Sequence, residues 1–145
     1  MTVQPRPDPS HPARRLSPRE CRYRLLRRHE GRLAYSTGRG PRCVVVNYAV
    51  HDDEIVLRVP EFNEICQYAP GREVCLVIDE IVGADGEWVE VTASGVAWVV
   101  DHCEHTSREG DDLDEVWPSG VTASTLRVAI TELYGVVQET HARRS

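Results

Sequence analysis

From Arg32 onward the chain is a succession of β-branched and aromatic runs cut at short intervals by turn residues, and this pattern restricts the fold more than any other feature. RLAYST is followed by Gly38-Arg39-Gly40-Pro41, RCVVVNYAV by His51-Asp52-Asp53, and then comes EIVLRV, so three antiparallel strands joined by hairpins are expected. EFNEICQYA, residues 61–69, spaces Phe62, Ile65, Cys66 and Ala69 at helical intervals and predicts a short middle helix ending near Pro70-Gly71. The β pattern then resumes as EVCLVIDEIV, a turn at Ala84-Asp85-Gly86, and the long EWVEVTASGVAWVVD, where Gly95 marks a bulge or bend. A final, loosely alternating strand is expected at about residues 125–137. Six strands without βαβ alternation imply a mainly β chain closed, or nearly closed, into an antiparallel barrel, because closure removes exposed sheet edges.

Ahead of the strands, Ser17-Pro18-Arg19-Glu20 has the form of a capping box with proline at the first helical position, flanked by Leu16 and Cys21 at the hydrophobic-staple positions. An N-terminal helix over about 18–29 follows, with Cys21, Leu25 and Leu26 on one side and Gly31 placed to end it. Residues 1–15 hold four prolines and almost nothing apolar, so they read as a disordered or extended basic arm before a single domain over 16–140.

The net charge of −6 conceals an asymmetry: residues 1–28 carry eight Arg against Asp8 and Glu20, a local +6, which leaves −12 for the remainder. No aromatic residues interleave with the arm arginines to stack on bases, so a solvated tail is the expectation over a nucleic-acid partner. All 17 basic residues are Arg, which excludes Schiff-base chemistry and any lysine contact to a phosphate. The five cysteines form no CxxC pair, and Cys43, Cys66 and Cys75 read as small buried hydrophobes in a reducing compartment. No apolar run approaches the ~20 residues of a membrane span and the N-terminus lacks an apolar signal core, so a cytoplasmic protein is expected.

The stretch LSPRECRYRLLRRHEGRLAYSTGRGPRCVVVNYAVHDDEIVLRV, residues 16–59, resembles the N-terminal half of the pyridoxamine 5′-phosphate oxidase-like family, particularly its small actinobacterial-type members. The resemblance rests on the opening helix from Leu16 to Glu20, the Gly31–Ala34 and Val45–Val50 strand motifs, and Ile55 to Val59. It continues through VCLVIDEIV and the Glu87-Trp88 strand to about Val100. It implies a six-stranded split β-barrel that forms a homodimer and binds FMN, or a deazaflavin, between two barrels for redox chemistry on a small molecule, with hydride passing through the flavin N5 atom. The ring would lie around Val45, Val46 and Asn47, with Trp88 and Trp117 near the flavin or the dimer seam. The phosphate would meet an Arg-Thr-x-x-x-x-Lys signature, of which Arg58 is retained while Val59 and Glu64 stand at the Thr and Lys positions. A hydroxyl is thereby lost and a cation replaced by an anion, which opens the alternative of a split barrel that has lost FMN and acts as a small-molecule binder or a specialised biosynthetic protein.

Other constellations carry less. Asp101-His102-Cys103-Glu104-His105 has metal-ligand residue types, but neighbours in a strand point to opposite faces and do not converge tetrahedrally. Asp79-Glu80 reads as a solvated strand end. No P-loop, GxGxxG turn or spaced Ser-His-Asp set is present, so redox chemistry would come from a bound cofactor.

Overall fold

Strand alternation wraps the chain around one apolar interior. The computed structural model describes residues 13–84, 86–104 and 122–139. In chain order these are β1 (Arg14–Arg15), α1 (Pro18–Arg27), β2 (Glu30–Thr37), β3 (Gly40–His51), β4 (Glu54–Pro60), α2 (Glu64–Tyr68), β5 (Glu73–Val82), β6 (Glu87–Glu104), β7 (Thr122–Ala129) and β8 (Glu132–Glu139). All strand pairings are antiparallel, and the ring β6-β5-β2-β3-β4-β7 returns to β6, giving the expected six-stranded barrel.

Closure depends on the length of β6. Its residues 87–96 pair with β5, while its other edge pairs with β8 over 87–94 and with β7 over 97–104. The expected final strand at 125–137 is therefore interrupted: β7 and β8 follow the same edge of β6, but the ladder breaks at Ile130-Thr131. There the Ile130 amide donates to the Asp53 carbonyl at 3.1 Å and the Thr131 amide to the Ser94 carbonyl at 2.9 Å. Up to the break β7 is sandwiched between β6 and β4; beyond it β8 leaves the barrel and takes β1 as its outer neighbour. Gly95 stands at this split, where a Cβ would lie 1.8 Å from the Ala129 carbonyl oxygen. The bulge itself falls between Val99 and Asp101, further along β6.

The two helices close the barrel ends. Ser17 caps α1 by accepting from the Glu20 amide at 3.2 Å, and the staple residues Leu16 and Cys21 are both buried. Leu25 is fully buried, and its carbonyl accepts a 2.6 Å hydrogen bond from the Tyr48 hydroxyl inside the barrel. Burying a leucine of this kind contributes about 1.5–3 kcal/mol. The helix ends at Arg27, two residues before the expected boundary, and Gly31 lies inside β2, where a Cβ would stand 3.0 Å from the Val77 carbonyl. Its role is close strand approach, not helix termination. The middle helix is also shorter than its spacing implies, because Asn63 caps it and residues 61–63 form a turn. Arg14 and Arg15, expected in the arm, pair with Val137 and Val136.

Replacing Gly95 with Ala is expected to destabilise the protein by about 3 kcal/mol or more, since backbone on both sides must move. Gly38→Ala, in a position where no atom lies within 4 Å of the added Cβ, should change stability by less than about 0.5 kcal/mol. Urea denaturation of both variants measures the contrast.

Candidate functional site

Residues of alternate parity on the barrel strands face outward, and a strip of them runs half-way around the barrel from β3 through β4 and β7 to the second half of β6. Ala49 pairs with Val56, Val56 with Arg127, and Arg127 with Trp98. Tyr48 pairs with Leu57, which leaves Asn47 and Arg58 as the next residues along adjacent strands, and Arg58 pairs in turn with Thr125. The strip carries cationic and apolar groups, with Trp98 58% exposed and Val100, at the bulge, 52%, while Val45, further along β3 beside β2, is 66% exposed. Arg127 donates to Glu54 at 2.9 Å and remains half-exposed.

Three of the expected site residues meet here. Val45 and Asn47 point outward on β3, Arg58 points outward beside them on β4, and Val46 between them is buried in the barrel wall. Val59 also points inward and is only 5% exposed. Glu64 is exposed at the first turn of α2, where its carboxylate accepts a 3.0 Å hydrogen bond from the Tyr35 hydroxyl. Burial and then Glu64 push the Tyr35 phenol above its ordinary range. Trp88 stands elsewhere, between Ile81 of β5 and Gln138 of β8, ten residues along β6 from Trp98. Trp117 lies outside the described residues, as do His105 and the side chains of the neighbouring Asp101–Glu104 segment. Trp98 and Arg127 are members of the strip that the motifs did not single out.

The residues at the signature positions do not fit a phosphate. Val59 offers no donor and is turned into the core, Glu64 is an anion held by Tyr35, and Glu61 adds a second exposed carboxylate in the preceding turn. Arg58 is already engaged within the chain.

A recess of about 160 Å³ adjoins Val45 on β3, lined also by Arg28, Arg32, Val77 and Asp79. Its charges are matched: Arg32 pairs with Asp79 at 3.0 Å, and Glu80 holds Arg24 at 3.1 Å and Arg28 at 3.8 Å. Asp79-Glu80 is thus an ion-paired joint between α1, β2 and β5, and the expectation of a solvated strand end is corrected. Asp79 also faces Glu90 directly across the β5–β6 ladder. Burial, then the Asp79 charge, pushes the Glu90 carboxyl up, against the opposing pull of Arg32.

The cysteines divide by strand parity. Cys21 is buried and Cys66 and Cys75 are partly so, with burial raising all three thiols, whereas Cys43 is exposed because its position in β3 faces outward. The expectation of a buried Cys43 is corrected on that ground.

The closed ring, the branching β6 edge and the two end-capping helices define a split β-barrel. The same architecture occurs in the FAD-binding protein of Mycobacterium smegmatis, 19% identical over 87% of this chain and 98% of that one, with a TM-score of 0.65. The FAD-binding protein mll6688 of Mesorhizobium loti is 21% identical over 90% of this chain and 99% of its own, with a TM-score of 0.68. An FAD- and heme-binding protein of Mycobacterium smegmatis is 12% identical over 87% of this chain and 74% of its own, with a TM-score of 0.64. No curated protein matches the sequence. The model of the pyridoxamine 5′-phosphate oxidase family matches residues 17–141, and the chain belongs to that family.

Glu90→Gln is expected to stabilise the protein at neutral pH by about 0.5 kcal/mol, the scale of a like-charge cross-strand pair. A carboxyl whose folded pKa lies above its unfolded value binds its proton more tightly in the native state, so stability falls as pH rises through the window above the ordinary value of 4.5. The variant's gain in Tm should therefore be present at pH 7–8 and vanish near pH 4, which a series of thermal melts reads directly.

Proposed function

We propose that the protein is a homodimeric flavin- or deazaflavin-dependent oxidoreductase acting on a small molecule. The observation that supports this reading is the outward face of Val45, Asn47 and Arg58 on β3 and β4, an apolar, hydrogen-bonding surface on a barrel of a family whose structural relatives are described as FAD-binding. An isoalloxazine ring needs a flat apolar support and a few polar contacts at its edge. Val45 provides apolar support, and Asn47 with the β3 backbone provides the polar contacts. The bound flavin would supply hydride chemistry; the chain's own residues bind and orient it. Trp98 and Val100, exposed near one another on β6, also form an apolar surface suited to a second copy.

The purified protein, supplied with riboflavin, FMN, FAD and a reduced deazaflavin in turn, should bind at least one of them saturably, with a perturbed visible spectrum. Asn47→Ala should weaken that binding about tenfold, and sedimentation should give twice the 16.3 kDa chain mass. A colourless monomer that binds none of the four would refute the reading.

A further inference from the structure

Where β7 gives way to β8, the barrel keeps an opening beneath α1. A recess of about 140 Å³ is lined there by Leu25 of α1, Val50 of β3, and Ile130 and Leu133 on either side of the ladder break, with Arg22, Asp52 and Asp53 completing the lining. We propose that this recess binds a small organic ammonium ion, its apolar body of about benzene size held among the four apolar side chains and its charged amine at the Asp52-Asp53 turn. The proposal is independent of the flavin reading, because Val50 shares the inward parity of buried Val46 and Tyr48, whereas Val45 and Asn47 face outward.

Each half of the ligand follows from what the recess leaves open. Leu25 is fully buried, while Val50, Ile130 and Leu133 pack against the core and keep part of their apolar surface uncovered. The volume is close to the ~150 Å³ of an apolar cavity that takes up benzene, so one ring or a short branched chain fits. The rim sets the charge. Arg22 reaches from α1 to the hairpin turn, where it donates to the Asp52 carbonyl at 2.9 Å and pairs with the Asp53 carboxylate. One guanidinium thus stands against two carboxylates, and that of Asp52 has no partner among the described residues. Glu54, the next acid in the chain, is taken by Arg127. The surplus negative charge favours a cation over an anion, and an ammonium group brings donors to carboxylates that can only accept.

Benzylamine, benzyl alcohol and benzoate share a ring and differ in charge, so titrating the full chain with each separates the two halves. At low salt the methyl resonances of Val50, Ile130 and Leu133 should shift saturably with benzylamine, about tenfold more weakly with benzyl alcohol, and more weakly still with benzoate. The spread should narrow in 0.5 M NaCl, because the attraction is screened. Asp52 has a left-handed φ of 54°, which asparagine also adopts readily, so Asp52→Asn removes the charge and keeps the turn. That variant should bring benzylamine down to the affinity of benzyl alcohol. Leu133→Phe, which fills the recess, should abolish binding of all three, and Asp52→Asn decides the matter where the larger side chain prevents folding. No methyl shift with any of the three, equal affinity for benzylamine and benzoate, or an amine preference unchanged in Asp52→Asn would overturn the proposal.

Discussion

The close approach of β6 to the end of β7 governs much of this barrel. At Gly95 a long strand must give one edge to two successive segments, and the Ala129 carbonyl comes so near that no side chain fits. Because the ladder breaks there, β7 can reach β4 and seal the ring, while β8 continues outward to meet β1 and α1. The α1 helix in turn depends on β8: the Leu16 amide bonds the Gly135 carbonyl at 2.8 Å, and a Cβ on Gly135 would stand 2.6 Å from the Cys21 sulfur. Two absent side chains thus set how the barrel closes and how its end is capped.

Charge is arranged around the same framework. The arginines of α1 and β2 are partly neutralised by acids from other elements: Arg22 pairs with Asp53, Arg24 and Arg28 with Glu80, and Arg32 with Asp79. Individually such partly exposed pairs contribute little. Together they orient the helix over the barrel end, and they absorb much of the positive charge that the N-terminal sequence presents. The strip around Arg58 has no such surplus of positive charge, since Glu61 and Glu64 follow it. The contrast between the two regions is what separates the barrel's architecture from the chemistry of a phosphate site.

Strand parity was the most legible part of the sequence. The alternation in RLAYST, VVVNYAV and EIVLRV already assigns Leu33, Tyr35, Tyr48, Ile55 and Leu57 to one face, and all of them are buried. The capping box at Ser17 was equally readable, because its interactions are local. The last strand was harder. Ile130-Thr131 has no glycine or proline to announce a break, which arises from hydrogen bonds to Asp53 and Ser94, distant in sequence. Trp98 escaped notice for a related reason: in AWVV every residue is apolar, so alternation does not say which side faces solvent.

The sequence by itself determined the number of barrel strands, the helix start and the order of motifs that places the chain in its family, since each is written in short-range periodicity or in turn and cap residues. Tertiary structure decided which strand edges β6 shares, that Gly31 and Gly95 are needed for close backbone approach, and that Asn47, Arg58, Arg127 and Trp98 form one outward strip. It also decided that Val59 faces the core and that Glu64 is held by Tyr35. Those outcomes depend on contacts between residues tens of positions apart, where the direction of a side chain is fixed by its partner strand and by the volume left to it, and not by its neighbours in sequence.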